Sequence, residues 1–197
     1  MTKRLILAST SPFRRTLMVN AGLAFEWEDS GVDERAIEDA GGRWDPVTLA
    51  ATLAKAKAVA VSLRNPSALV IGSDQVLSLQ GQLLHKSKSI ADAREVLLRL
   101  RGQTHELNSA VAVALNGQIV WEHVDVAHMS VREFTEEFLS YYVESVDEKV
   151  LRSVGGYQLE GVGVQLFDRI DGDYFTVLGL PLVPLLDFLR RVGAAHA

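Results

Sequence analysis

Apolar positions along the chain follow two rhythms. Short unbroken runs, Leu5-Ile6-Leu7-Ala8 and Ala68-Leu69-Val70-Ile71, predict buried strands, the second ending at Gly72. Helical spacing marks residues 14–21, 46–63 and 89–101; in the second, Leu49, Leu53, Ala56 and Ala60 share one face. Ser89 followed by Asp92 is an acidic version of the capping box, and Gly102 stands where a C-cap glycine belongs. Alternation then predicts two long strands, 107–115 and 119–129, joined by an Asn116-Gly117 hairpin turn. Further helices are predicted at 134–143, with Phe138, Leu139, Tyr142 and Val143 on one stripe, and at 181–192, with Pro181 in its first turn. A strand is predicted at 162–167, and the Ala-rich tail 193–197 is expected to fray. Strands alternating with helices, plus one hairpin, predict a mixed twisted α/β sheet with helices on both faces, in one domain spanning 1–197.

Composition narrows this picture. At 197 residues, 48% hydrophobic and 23% charged, the chain can bury a sizeable core, which excludes a disordered protein. A formal net charge of −5 argues against a nucleic-acid partner, because such binding needs a broad basic face. An anionic ligand would therefore need positive charge gathered at one place, or a metal. Cysteine is absent, so disulfides, a thiolate nucleophile and Cys-ligated zinc are excluded. The basic start Met1-Thr2-Lys3-Arg4 precedes an apolar run too short for a signal peptide, and no apolar stretch nears the roughly 18 residues a membrane span needs. A soluble cytoplasmic protein with no membrane partner is expected.

Polar residues interrupt the core pattern in several places. Ser9-Thr10-Ser11-Pro12-Phe13-Arg14-Arg15 joins a strand end to a helix start, where free N–H groups and the helix dipole can hold an anion. The plainer reading is a Ser9 or Ser11 cap with both arginines solvated. Gly72-Ser73-Asp74-Gln75-Val76 follows a buried strand, where Asp74 could ligate Mg²⁺ or take a proton from water, or merely cap a turn. Val32-Asp33-Glu34 and the lysines Lys55, Lys57, Lys86 and Lys88 complete the set. Lys55 and Lys57, two apart on a helix, point to different faces, so at most one faces inward. Gly155 to Gly161 is a loop, either a plain turn or a place where backbone approaches a base or phosphate. The histidines lack metal-ligand spacing, and no G-x-S-x-G, G-x-x-x-x-G-K-[ST] or G-x-G-x-x-G motif is present.

Taken in order, LILASTSPFRRTLM, VDE, LAKAKA, VIGSDQV, LLHKS, GGYQLEG and GDYFTVLGLPL span Leu5 to Leu182. Together they resemble the Maf family of nucleotide pyrophosphatases. The resemblance implies a two-lobed α/β fold around a central cleft, usually a homodimer. It also implies hydrolysis of a nucleoside triphosphate to the monophosphate and pyrophosphate with Mg²⁺ or Mn²⁺. It makes Asp74 the general base, Glu34 and Asp74 the metal carboxylates, Ser9 and Arg14 phosphate contacts, and Lys57 and Lys86 catalytic lysines. Phe13 stands where much of the family has the first arginine of S-P-R-R, so Arg15 either substitutes for it or is solvated. Phe13, Gln75 and Glu160 look like the branch that hydrolyses 7-methyl-GTP, whereas GDYFTVLGLPL looks more like the dTTP/UTP branch at its start. The alternative outside enzymology is a non-catalytic nucleotide-binding regulator of cell division.

Overall fold

Three consecutive buried residues, Leu5–Leu7, form the short parallel strand β1. Helix α1, Pro12–Asn20, follows, then strand β2 at Glu26–Trp27, helix α2 at Glu34–Gly41 and helix α3 at Pro46–Arg64. Strand β3, Leu69–Leu79, turns into β4, Gln82–Leu84, and helix α4 covers Ile90–Leu100. The long strands β5, Thr104–Leu115, and β6, Gln118–Val131, precede α5, Glu136–Val146. Short 3₁₀ segments lead to β7, Phe167–Asp171, then α6, Tyr174–Val177, and α7, Leu182–Arg191. The computed structural model describes residues 3–196; Met1 and Thr2 of the basic start and Ala197 of the tail lie outside the described residues.

The seven strands form one mixed sheet in the order β2-β1-β3-β5-β6-β7, with β4 paired to β3. β1 runs parallel to β2 and β3, with Leu5 opposite Leu69 and Leu7 opposite Ile71. Alternating side chains then divide the core. Leu5, Leu7, Leu69, Ile71, Val111 and Val113 pack with Leu17 and Met18 of α1 and with Leu182, Leu185 and Leu189 of α7. Ile6, Ala8 and Val70 point the other way and meet Val61 of α3. Helices therefore cover both faces, as the alternation predicts.

The chain forms two compact units. One holds residues through Gln75, Asn108–Val126 and Asp173 onward; the other holds Val76–Leu107 and Ala127–Gly172. Helix α3 belongs to the first. It is 19 residues long and, by length and composition alone, apolar enough to cross a membrane, contrary to the expectation that no apolar stretch nears that length. Half of it is buried, as in the core helix of a folded domain, and its inner face passes through Leu49, Leu53, Lys57 and Val61 rather than Ala56 and Ala60.

Other boundaries shift for physical reasons. α1 begins at Pro12, because Ser11 Oγ accepts the Arg14 N–H and Pro fits the first turn. The predicted strand at 162–167 is a 3₁₀ segment through Leu166, and pairing with β6 begins only at Phe167. The tail does not simply fray: Ala194 is buried with the α7 cluster and its N–H donates to the Leu189 carbonyl. Local signals held where they were strongest. Ser89 caps α4 by accepting the Asp92 N–H, and Asn116 and Gly117 both take positive φ in the β5–β6 turn.

Candidate functional site

The largest difference between expectation and structure lies at Asp74. β3 does not stop at Gly72 but runs on to Leu79, so Ser73, Asp74 and Gln75 are strand residues. Gly72 permits this because α3 lies directly over it. A Cβ there would sit 2.2 Å from the Ala54 carbonyl oxygen and 2.6 Å from the Ala58 nitrogen. Hydrogen bonds that a turn would have made locally are made to distant chain instead. Ser73 Oγ donates to the Gly179 carbonyl at 3.0 Å. Gln75 Nε2 donates to Ser109 Oγ and to the Thr176 and Val177 carbonyls at 2.9–3.1 Å.

Asp74 meets the lysine that α3 turns inward. Lys57 Nζ lies 2.6 Å from Asp74 Oδ1 and 2.7 Å from Glu34 Oε1, at the first turn of α2. Lys57 and Asp74 are buried, whereas the Glu34 side chain is 53% exposed. The neighbouring Asp33 is the α2 cap, accepting the Ala36 N–H at 3.0 Å. Lys55 faces outward and pairs with Glu122 at 3.2 Å, so the two lysines separate as their spacing requires.

Arg14 joins the same region from α1. Its Nε donates to the Gly179 carbonyl at 2.8 Å and its Nη1 to the Ser73 carbonyl at 2.9 Å, with Ser9 Oγ at 3.5 Å. Burial pushes the guanidinium down from its usual value, while the Asp74 and Glu34 carboxylates pull it back up. Arg14 thus does two things: it ties the loop after β1 to β3 and Gly179, and it places a fixed cation near both carboxylates. Arg15 does not share these bonds. Its guanidinium stacks 4.4 Å over Trp27, and its Nε is buried with no hydrogen-bond partner among the described residues.

Ser9, Arg14, Glu34, Lys57, Asp74 and Gln75 therefore belong to the first unit, gathered around β3 and α3. Lys86 and Glu160, both exposed, belong to the second. Within the first group, Glu34 and Asp74 are the residues that could hold a divalent cation. Glu34 and Asp74 offer hard carboxylate oxygens to one point, and Mg²⁺ or Mn²⁺ commonly takes one or two carboxylates plus phosphate oxygens and water. No cluster of three or more Asp, Glu, His or Cys forms a ready-made metal cage among the described residues, so the donor set suits an ion that brings other ligands with it.

The family described as Maf-like protein matches residues 4–192. The chain belongs to the Maf family. It is 54% identical over 197 residues to a 7-methyl-GTP pyrophosphatase of Rhizobium etli, with 98% of each chain covered. Over 195 residues it is 49% identical to a protein of the same name from Brucella abortus, covering 97% of each. It is also 53% identical over 191 residues to a nucleoside triphosphate pyrophosphatase of Caulobacter vibrioides, covering 95% of each.

Sequence reasoning on this Maf chain missed the residues that hold Arg14 and Gln75 in place. Ser73, Ser109, Thr176 and Gly179 fix Arg14 and Gln75 through contacts spanning up to 165 residues, and only the presence of FTVLGLPL hinted at them. The second unit contains another missed pair. His105 Nε2 lies 2.6 Å from the hydroxyl of Tyr157, in the Gly155–Gly161 loop, while His105 Nδ1 is buried without a partner among the described residues. Tyr142 secures the same loop by donating to the Gly156 carbonyl at 3.0 Å.

Burial pushes the His105 pKa down from 6.5 to about 4. The unfolded chain therefore takes up a proton at His105 between pH 6.5 and 4 that the folded chain refuses. The associated stability is complete above pH 6.5 and is lost as pH falls towards 4, a loss of about 3 kcal/mol. Urea unfolding at pH 7 and pH 4.5 should show His105→Gln losing less stability on acidification than wild type; equal losses would remove His105 as the cause.

Proposed function

We propose that this Maf chain hydrolyses nucleoside triphosphates to the monophosphate and pyrophosphate, with the Glu34–Lys57–Asp74 group at the reacting phosphate. The observation that carries this reading is the Lys57 ammonium shared between the two carboxylates, with the Arg14 guanidinium close by. A triphosphate carries about four negative charges, and attack at the α-phosphorus places more on the oxygens around it. Fixed cations that meet that charge without reorganising supply the largest catalytic term. Arg14 and Lys57 supply them, Ser9 contributes a hydroxyl, and the family resemblance assigns Lys86 to the phosphates as well. Asp74 accepts a proton from the attacking water, oriented through its bond to Lys57. Mg²⁺ or Mn²⁺ held by Glu34 and Asp74 would supply Lewis-acid charge to the phosphoryl oxygens. The same reading carries a cytoplasmic homodimer.

For the base, we favour 7-methylguanine over thymine or uracil. The names carried by the Rhizobium and Brucella relatives support this, and so does Glu160. A carboxylate accepts hydrogen bonds from the N1–H and amino group of a guanine, but has nothing to accept from the O2 and O4 of uracil. Pyrophosphate release from 7-methyl-GTP, GTP, UTP and dTTP at fixed Mg²⁺ tests both parts. Pyrophosphate with the monophosphate as first products, fastest from 7-methyl-GTP, is the expected result; orthophosphate as first product, or no turnover of any nucleotide, would overturn the reading. In the same assay Glu160→Gln should lower the ratio of kcat/KM for 7-methyl-GTP to that for UTP about tenfold, the scale of a hydrogen bond to a charged group. An unchanged ratio would remove Glu160 from base recognition.

A further inference from the structure

The Lys57 ammonium sits against the same two carboxylates that a divalent cation would use, on Asp74 Oδ1 and Glu34 Oε1. It makes 2.6 and 2.7 Å contacts to Asp74 and Glu34 and is itself buried. With Arg14 counted, two cations face two anions, so the group is already neutral without a metal. A free divalent ion that took those two oxygens would displace Lys57 from both partners and leave a buried ammonium short of counter-charge. Breaking a buried pair in this way is strongly unfavourable. A divalent ion that arrives on a polyphosphate meets a different balance, because the phosphate oxygens give Lys57 and Arg14 new partners as the carboxylates turn to the metal.

We infer that Lys57 is a resident counter-ion that makes metal capture by Glu34 and Asp74 conditional on the nucleotide's phosphates. The inference rests on reading those carboxylates as the metal ligands of a nucleotide hydrolase. Lys57 is then a specificity-determining residue for the metal: the site accepts a cation complexed to polyphosphate and discriminates against the free ion. Linkage makes the effect reciprocal, so nucleotide tightens metal binding by the factor by which metal tightens nucleotide binding. Lys57 carries that factor.

The test measures binding, not turnover. Mn²⁺ is titrated into wild type and Lys57→Met by electron paramagnetic resonance, with and without an α,β-methylene triphosphate analogue. Without the analogue, Lys57→Met should bind Mn²⁺ at least tenfold more tightly than wild type, and the gain in Mn²⁺ affinity on adding the analogue should shrink by a similar factor. Equal or weaker Mn²⁺ binding by the folded variant would overturn the inference. Should Lys57→Met fail to fold by circular dichroism, wild type decides. Its Lys57 ammonium resonance, followed by nitrogen-15 NMR, should stay in place with Mg²⁺ alone and move with Mg²⁺ plus analogue. Movement with Mg²⁺ alone would overturn it. Because neither readout uses catalysis, absent pyrophosphate release would count against the proposed activity and leave the Lys57 role standing on its binding data.

Discussion

Replacing Asp74 with Asn should lower kcat for pyrophosphate release about 100- to 1,000-fold, the range associated with removing a positioned general base. Asn retains the shape and an acceptor for the Lys57 ammonium but cannot take the proton. Lys57 keeps Glu34 as its charged partner at 2.7 Å, so the variant should remain folded. Circular dichroism checks the fold, and a coupled pyrophosphate assay checks the rate. Equal rates in wild type and variant would sink the assignment of Asp74 as base. A rise in KM with kcat unchanged would likewise reassign it, from proton transfer to nucleotide binding.

The largest expected effect on stability comes from a single added methyl group. Gly72→Ala places a Cβ 2.2 Å from the Ala54 carbonyl oxygen and 2.9 Å from the Ala58 Cβ, both in the part of α3 that carries Lys57. Backbone atoms cannot rotate away as a side chain could, so α3 or β3 must shift. Overpacking of this kind costs about 3 kcal/mol, which for a chain of this size lowers the melting temperature by about 6–12 °C. Calorimetry would measure it, and a melting temperature equal to that of wild type would show that the two elements part without cost. Activity should fall as well, because the shift moves Lys57 relative to Asp74.

These two residues also show where sequence reasoning reaches its limit. Gly72-Ser73-Asp74-Gln75 is, by local chemistry, a turn: small and polar residues that usually bond to their own backbone. It is a strand because its partners are remote: Gly179 for Ser73, Lys57 for Asp74, and Ser109 with the Thr176 and Val177 carbonyls for Gln75. No window of neighbouring residues contains them. The β5–β6 hairpin and the Ser89 cap were legible because each is decided within four residues. β7 was displaced in expectation because all but Phe167 of its residues are exposed and it carries no apolar alternation. The inward turn of Lys57 rather than Lys55 was legible only as a choice of one. The Ala-rich helix offers nearly equivalent apolar faces, and contact with Gly72 decides between them.

The division into two units has a consequence for how such a protein can be inherited. The second unit is two insertions into the first, Val76–Leu107 and Ala127–Gly172, and three of the four chain crossings fall inside β3, β5 and β6. A gene cut at any one crossing would leave the first unit in pieces, and a cut at three of the four would also sever a strand. Neither unit is available to recombination as a transferable module. New substrate preferences in this architecture must then arise by point substitution or loop replacement within an intact chain, not by exchange of one half for another.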